Sequence, residues 1–148
     1  MGPLERLEAI DAIKRLKARR VRALDGKDWA TYEALHAPDH VSSNDNEPRW
    51  VGSKANTERL AKLLTADITT VHHAHTPEIE LIDATHATGI WAMEDWLFWK
   101  QGGEDHWLHG WGHYHETYER RDGVWLFTNR SLRRIRVETS PGAKLGQR

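Results

Sequence analysis

The chain has 148 residues, enough for one ordinary domain, with 21 basic against 22 acidic side chains and no cysteine. Disulfides and thiolate metal sites are therefore excluded. The balanced charge argues against a dedicated nucleic-acid binder, and no apolar run is long enough to span a membrane. The charged start, MGPLERLEAID, lacks the apolar stretch of a secretory signal. A cytoplasmic enzyme or binding protein is expected, with neither nucleic acid nor membrane as partner. Eight tryptophans and ten histidines point to an aromatic pocket that moves protons.

Residues 4–24 carry Leu7, Ile10, Ile13, Leu16, Val21 and Leu24 at roughly helical spacing, with Lys and Arg between them. Gly26 supplies a C-terminal stop, and Asp28 an N-cap for a second helix over 29–36. Ala37-Pro38-Asp39 closes that helix, and a short strand is expected near His40–Ser43. A third helix runs from after Ser53 to about Leu64, with Leu60, Leu63 and Leu64 as its buried stripe. The second half is rich in Trp, Ile, Val, Thr and Tyr, and predicts strands over 68–75, 78–83, 86–100, 105–120 and 124–137. Pro77 separates the first two, and Arg121-Asp122-Gly123 marks a hairpin turn. Residues 140–148 read as a disordered tail. Helices first and antiparallel strands after imply an α+β domain, with three helices covering one face of a bent sheet and a ligand cavity between them.

Three strings carry a family resemblance: Ala23-Leu24-Asp25-Gly26-Lys27-Asp28-Trp29, Thr70-Val71-His72-His73, and Tyr118-Glu119-Arg120-Arg121-Asp122-Gly123-Val124-Trp125. Their order and spacing resemble the SnoaL-like, scytalone dehydratase and hexachlorocyclohexane dehydrochlorinase group of the nuclear transport factor 2-like superfamily, over most of residues 5–137. The resemblance implies a cystatin-like cone over residues 1–139, with three N-terminal helices on a strongly curved, mixed but mostly antiparallel sheet. It also implies a cofactor-free lyase that removes water or hydrogen halide from small cyclic or aromatic molecules with an Asp and one or two His. The family aspartate falls on Asp25 and the strand histidine on His72. A second histidine falls in the strand 109–117, nearest Trp111, with His109 and His113 on the same face. The two tyrosines with which scytalone dehydratase holds a water fall on Leu24 and Asn44, so that device is absent.

On their own chemistry, these residues support the same reading. Asp25 closes a helix whose C-terminal dipole opposes a negative charge, so something should offset it. A charge-assisted hydrogen bond to an imidazole would do so; a simple turn aspartate is the alternative. In the strand Ile68–His75, His72 points opposite to His73 and His75. Alternation leaves the inward face open; the resemblance selects His72. In the strand 106–119 one face carries Trp107, His109, Trp111, His113, His115 and Thr117, a row that suits a pocket wall or an oligomer interface. Glycines on the other face allow close packing or curvature.

The expected roles are His72 as general base, held by Asp25, and His113 as the group that protonates or polarises the leaving oxygen. Trp91, Met93 and Trp111 would sandwich a flat aromatic substrate. Asn44 and Asp95 would line the pocket, and Arg130 would neutralise a phenolate or carboxylate. Dehydration is one outcome; retro-aldol carbon–carbon cleavage with release of an aldehyde needs the same base. Two other functions stay open. One is a metal enzyme using His113-x-His115 or His73-x-His75, each pair roughly 7 Å apart by strand rise. The other is a non-catalytic small-molecule-binding domain. No cofactor or metal is expected, and the Trp/His face predicts a dimer or trimer.

Overall fold

A computed structural model of the chain describes residues 1–45 and 48–145. Helix α1 spans Pro3–Asp25, with Pro3 at its first turn, where a missing N–H costs nothing. Its inward face carries Ile13, Leu16, Lys17, Arg20 and Leu24, all buried. Gly26 keeps a right-handed conformation, and Lys27 makes the left-handed turn instead (φ +54°). The Asp28 side chain accepts from the Thr31 amide and opens α2, Trp29–Ala34. This helix is two residues shorter than the expected 29–36, because His36 already belongs to strand β1, His36–Asn44. A short β2, Trp50–Val51, precedes α3, Ser53–Leu63.

Four long strands follow: β3 Thr69–Leu81, β4 His86–Gln101, β5 Glu104–Arg121 and β6 Val124–Thr139. The sheet order is β2-β1-β6-β5-β4-β3, antiparallel throughout except for the parallel β1–β6 pair. Pro77 does not split β3 into two strands. It lies at a register shift between Ala74 and Pro77 on the edge strand, where a missing donor is tolerated. Asp122 and Gly123 both take positive φ (49° and 79°) at the β5–β6 hairpin, as its twist requires.

The helices cover the inner face of the sheet. One cluster joins Ile13 and Leu16 of α1 to Tyr118, Trp125 and Phe127. A second joins Ala23, Leu24, Tyr32, Leu64 and Ile68 to Leu97 and Trp99. Between them the helices and sheet stand apart, which is where the cavity lies. Residues 140–145 do not behave as the expected disordered tail. The Ser140 hydroxyl bonds the Trp107 amide and His106 Nδ1, and Leu145 reaches the cavity wall. Residues 146–148 lie outside the described residues. No described helix is long and apolar enough to cross a membrane.

Candidate active site

Asp25 ends α1 facing β3, and three donors offset the unfavourable dipole at that helix end. The Thr70 hydroxyl donates to Oδ1 at 2.9 Å, the His72 amide donates to Oδ2 at 2.9 Å, and His72 Nδ1 lies 2.6 Å from Oδ1. Partial burial raises the Asp25 pKa, but the hydrogen bonds and charge of His72, together with Thr70, outweigh it and hold the carboxyl below the usual carboxylate range. An ionised Asp25 needs the proton on Nδ1 of His72. The lone pair then sits on Nε2, and the ring is locked in that tautomer. Nε2 stands 3.8 Å from Asp95 Oδ2, beyond hydrogen-bond reach, on the wall of a partly open cavity of about 450 Å³.

Asp95 is buried and fully engaged by Arg134, which donates from Nη1 at 2.7 Å and Nη2 at 2.9 Å. Gly110 on the neighbouring strand makes room for that pair: a Cβ there would lie 1.9 Å from Arg134 Nη1 and 2.6 Å from Asp95 Oδ1. We expect Gly110→Ala to evict Arg134 and strand a buried carboxylate, at a cost of about 3 kcal/mol in a urea melt. A loss below about 1 kcal/mol would mean the pair tolerates displacement.

The rest of the cavity is leucine and arginine rather than tryptophan. Leu24, Leu60, Leu63, Leu97, Leu108 and Leu132 supply apolar wall, so Leu60 and Leu63 face the cavity rather than a sealed core. Arg20, Arg130, Tyr32 and Tyr114 form its inner end. Arg20 donates from Nε to His36 Nε2 at 3.1 Å and from Nη2 to the Tyr32 hydroxyl at 2.9 Å. His36 Nδ1 faces the Tyr32 carbonyl at 2.6 Å, which leaves Nε2 as acceptor. Burial, then the Arg20 charge, pushes the pKa of His36 well below the ordinary imidazole value, and pushes that of His40 to about 3. Both rings are neutral scaffold.

Of the residues expected at the site, Asp25 and His72 meet, and Asn44, Asp95, Arg130 and His72 line one cavity. Met93 lies behind it, buried with Trp91, Tyr114 and Leu132. Trp91 donates to the Tyr118 hydroxyl at 2.8 Å and borders a wider groove of about 800 Å³ between α1 and β3, on the other side of His72.

His113 and Trp111 are corrections. The inward face of β5 is Leu108, Gly110, Gly112, Tyr114, Glu116 and Tyr118, so His113 and Trp111 point out of the other side of the sheet. Neither can sandwich or protonate a molecule held beside His72. Alternation separated the two faces but not inside from outside. The deciding signal was Gly110 and Gly112: the first makes room for the Asp95–Arg134 pair from β4 and β6, and the second lets the β6 backbone come close where the register shifts, a Cβ there lying 2.2 Å from the Arg133 carbonyl oxygen.

The outer face instead holds an aromatic ladder. Trp96 stacks on Phe98 with ring centroids 5.5 Å apart and on His109 at 3.6 Å, and His109 meets Trp111 at 3.8 Å. His73, His75 and Glu94 share that face. Their ligand atoms lie within 4.8 Å of one another, the only such trio among the described residues, so they are the side chains that could hold a metal ion. His113 and His115 are not part of it.

Arg20, Tyr32, Tyr114 and Arg134 were missed in the sequence. For Arg20 a signal existed: it continues the Ile13–Leu16–Leu24 stripe at helical spacing, so it had to point inward.

Known proteins of this shape agree with the architecture. The model of the SnoaL-like domain matches residues 5–131. A scytalone dehydratase-like protein of Novosphingobium aromaticivorans DSM 12444 superposes with a TM-score of 0.82 at 23% identity, covering 93% of this chain and 91% of that one. A type 2 hexachlorocyclohexane dehydrochlorinase (LinA) gives 0.82 at 21% identity, over 98% and 99%. The LinA-type3 enzyme of Novosphingobium barchaimii LL02 gives 0.81 at 18%, over 96% and 97%. With its curled six-stranded sheet and matching profile, the chain belongs to the SnoaL-like family of the nuclear transport factor 2-like superfamily.

Proposed function

We propose that the protein is a cofactor-independent lyase that eliminates water from a small aromatic or cyclic hydroxylated substrate, with His72 as general base. One observation carries the reading: an imidazole whose Nδ1 is tied to a carboxylate and whose Nε2, without a hydrogen bond among the described residues, lies at the wall of a partly open cavity. His72 Nε2 takes a proton from the carbon next to an activating group. The electron pair of that C–H bond becomes the new C=C bond as the C–O bond breaks. The imidazolium then returns its proton to the departing hydroxide as water, so no net proton is needed. Retro-aldol cleavage would use the same base on a hydroxyl proton, the imidazolium then protonating the carbanion.

The dehydratase and dehydrochlorinase names of similar structures support the lyase class. The aromatic ladder on the outer face supports self-association as a dimer or trimer. The test is a panel of phenolic β-hydroxy ketones and aryl diols, followed by ultraviolet absorbance for the conjugated product. Turnover that needs no added metal or cofactor and is absent in His72→Ala is expected. Binding without turnover across the panel would move the assignment to a small-molecule-binding domain.

A further inference from the structure

On the outer face of the sheet, away from the cavity, two imidazoles converge on one carboxylate oxygen. Glu94 of β4 lies directly opposite His73 of the edge strand β3. Its Oε1 stands 3.5 Å from His73 Nδ1 and 3.5 Å from His75 Nε2. In a regular strand the side chain of His75 would stand roughly 7 Å farther along than that of His73. The register shift between Ala74 and Pro77 falls at His75, and there its ring reaches the same oxygen as His73. The two rings meet edge to face, with centroids 6.0 Å apart.

The carboxylate is held from its far side. His109 Nε2 donates to Glu94 Oε2 at 3.0 Å. His109 in turn lies between Trp96 and Trp111, with ring centroids at 3.6 Å and 3.8 Å. One imidazole thus orients Glu94, and its other oxygen is presented to the remaining two. Partners of this kind orient the ligands of metal sites. The spacing favours an ion over direct hydrogen bonds. A separation of 3.5 Å is long for N–H···O, whereas two donors on one tetrahedral zinc ion, each about 2.05 Å from it, stand about 3.4 Å apart. All three ligand atoms lie within 4.8 Å of one another. The side chains of His73 and His75 are 54% and 53% exposed, so ring rotation can close the remaining gap. Two imidazoles and a carboxylate suit zinc and its transition-metal neighbours, whereas magnesium and calcium prefer oxygen ligands.

We propose that His73, His75 and Glu94 form a zinc-binding site on the outer face of the sheet, with three protein ligands and the fourth position left to water. His72 points to the other side of β3, so the ion takes no part in the elimination. It clips the edge strand that carries His72 to β4. The site is independent of the lyase reading.

The test is calorimetric titration of Zn²⁺ into tag-free protein that has been stripped with a chelator. One ion per chain is expected, and Mg²⁺ at the same concentration should give no heat of binding. His75→Asn and Glu94→Gln should each weaken Zn²⁺ binding by at least about tenfold. His75 is exposed enough for its variant to fold, which circular dichroism checks. The variant His113→Asn/His115→Asn removes another closely spaced histidine pair of that face and should leave the affinity unchanged. The site is overturned by absence of binding, or by about half an ion per chain, which would mean an ion shared between two copies. It is equally overturned by an affinity within about threefold of wild type in His75→Asn or Glu94→Gln, or by loss of binding in His113→Asn/His115→Asn. Failure of the lyase reading shows elsewhere, as undiminished turnover in His72→Ala, and leaves the zinc affinity untouched.

Discussion

Asp25→Asn is expected to lower kcat by about a hundredfold to ten-thousandfold, the range that general-base catalysis contributes, while KM changes little. The substitution is nearly isosteric and can keep the contacts from the Thr70 hydroxyl and the His72 amide, so the fold should survive. What it removes is the charge 2.6 Å from Nδ1. An amide can offer its NH₂ to Nδ1 as readily as its oxygen, so the proton on His72 is free to move to Nε2, and the base points its N–H rather than its lone pair at the substrate. The imidazolium formed during the reaction also loses its counter-ion. Asp25 does not touch substrate; it is a positioning residue, and a purely structural role would act on stability instead. Imidazole added to the medium should restore part of the activity of His72→Gly and none of that of Asp25→Asn. A kcat above half the wild-type value in Asp25→Asn, on a compound the wild-type protein turns over, would remove the dyad from the reaction.

That the dyad could be read in the chain while the opposite wall could not has a physical cause. Asp25 is marked by a local rule, a helix end that needs donors, whereas His72 is selected by the family resemblance, since alternation along its strand leaves the inward face open. The helices, the hairpin at Asp122-Gly123 and the long strands followed from local rules. The opposite wall depends on which side of β5 faces the helices, and period-two alternation is symmetric on that point. Trp and His on one face looked like pocket chemistry, whereas the pocket in fact uses the face with Gly110, Gly112, Tyr114 and Glu116. Buried charge is the other illegible feature. Lys17 and Arg20 fall on the Ile13–Leu16–Leu24 stripe while Arg19 and Arg22 fall outside it, but helical spacing alone does not say that a basic side chain stays buried there. Only the tertiary partners, Glu116 from β5 and Tyr32 from α2, make their burial tolerable.

Glu116→Ala should therefore be among the most destabilising single changes in the chain, costing about 3–5 kcal/mol at pH 6. Lys17 and Glu116 form an ion pair with both side chains essentially out of solvent, and the Tyr118 hydroxyl donates to the second carboxylate oxygen at 2.6 Å. Removing the carboxylate leaves Lys17 inside beside Arg20 and Arg130 with no opposite charge. The pH dependence identifies the cause. Burial pushes the Lys17 pKa down to about 7 even with Glu116 raising it, whereas the unfolded chain holds that proton to about 10.5. Between these values the unfolded state binds more protons, so wild-type stability gains with rising pH across that window. Without Glu116 the folded pKa falls further and the same gain begins at lower pH. The two proteins should then run parallel above about pH 7, and their difference should widen as the pH falls below it. Denaturant melts at pH 5.5, 7 and 8.5 read this directly. The double variant Lys17→Met/Glu116→Leu should regain at least half of the loss, because it removes the stranded charge along with its partner. A pH-independent difference, or a double variant no better than Glu116→Ala, would mean that the lost volume and the Tyr118 hydrogen bond outweigh the ion pair in holding α1 to the sheet.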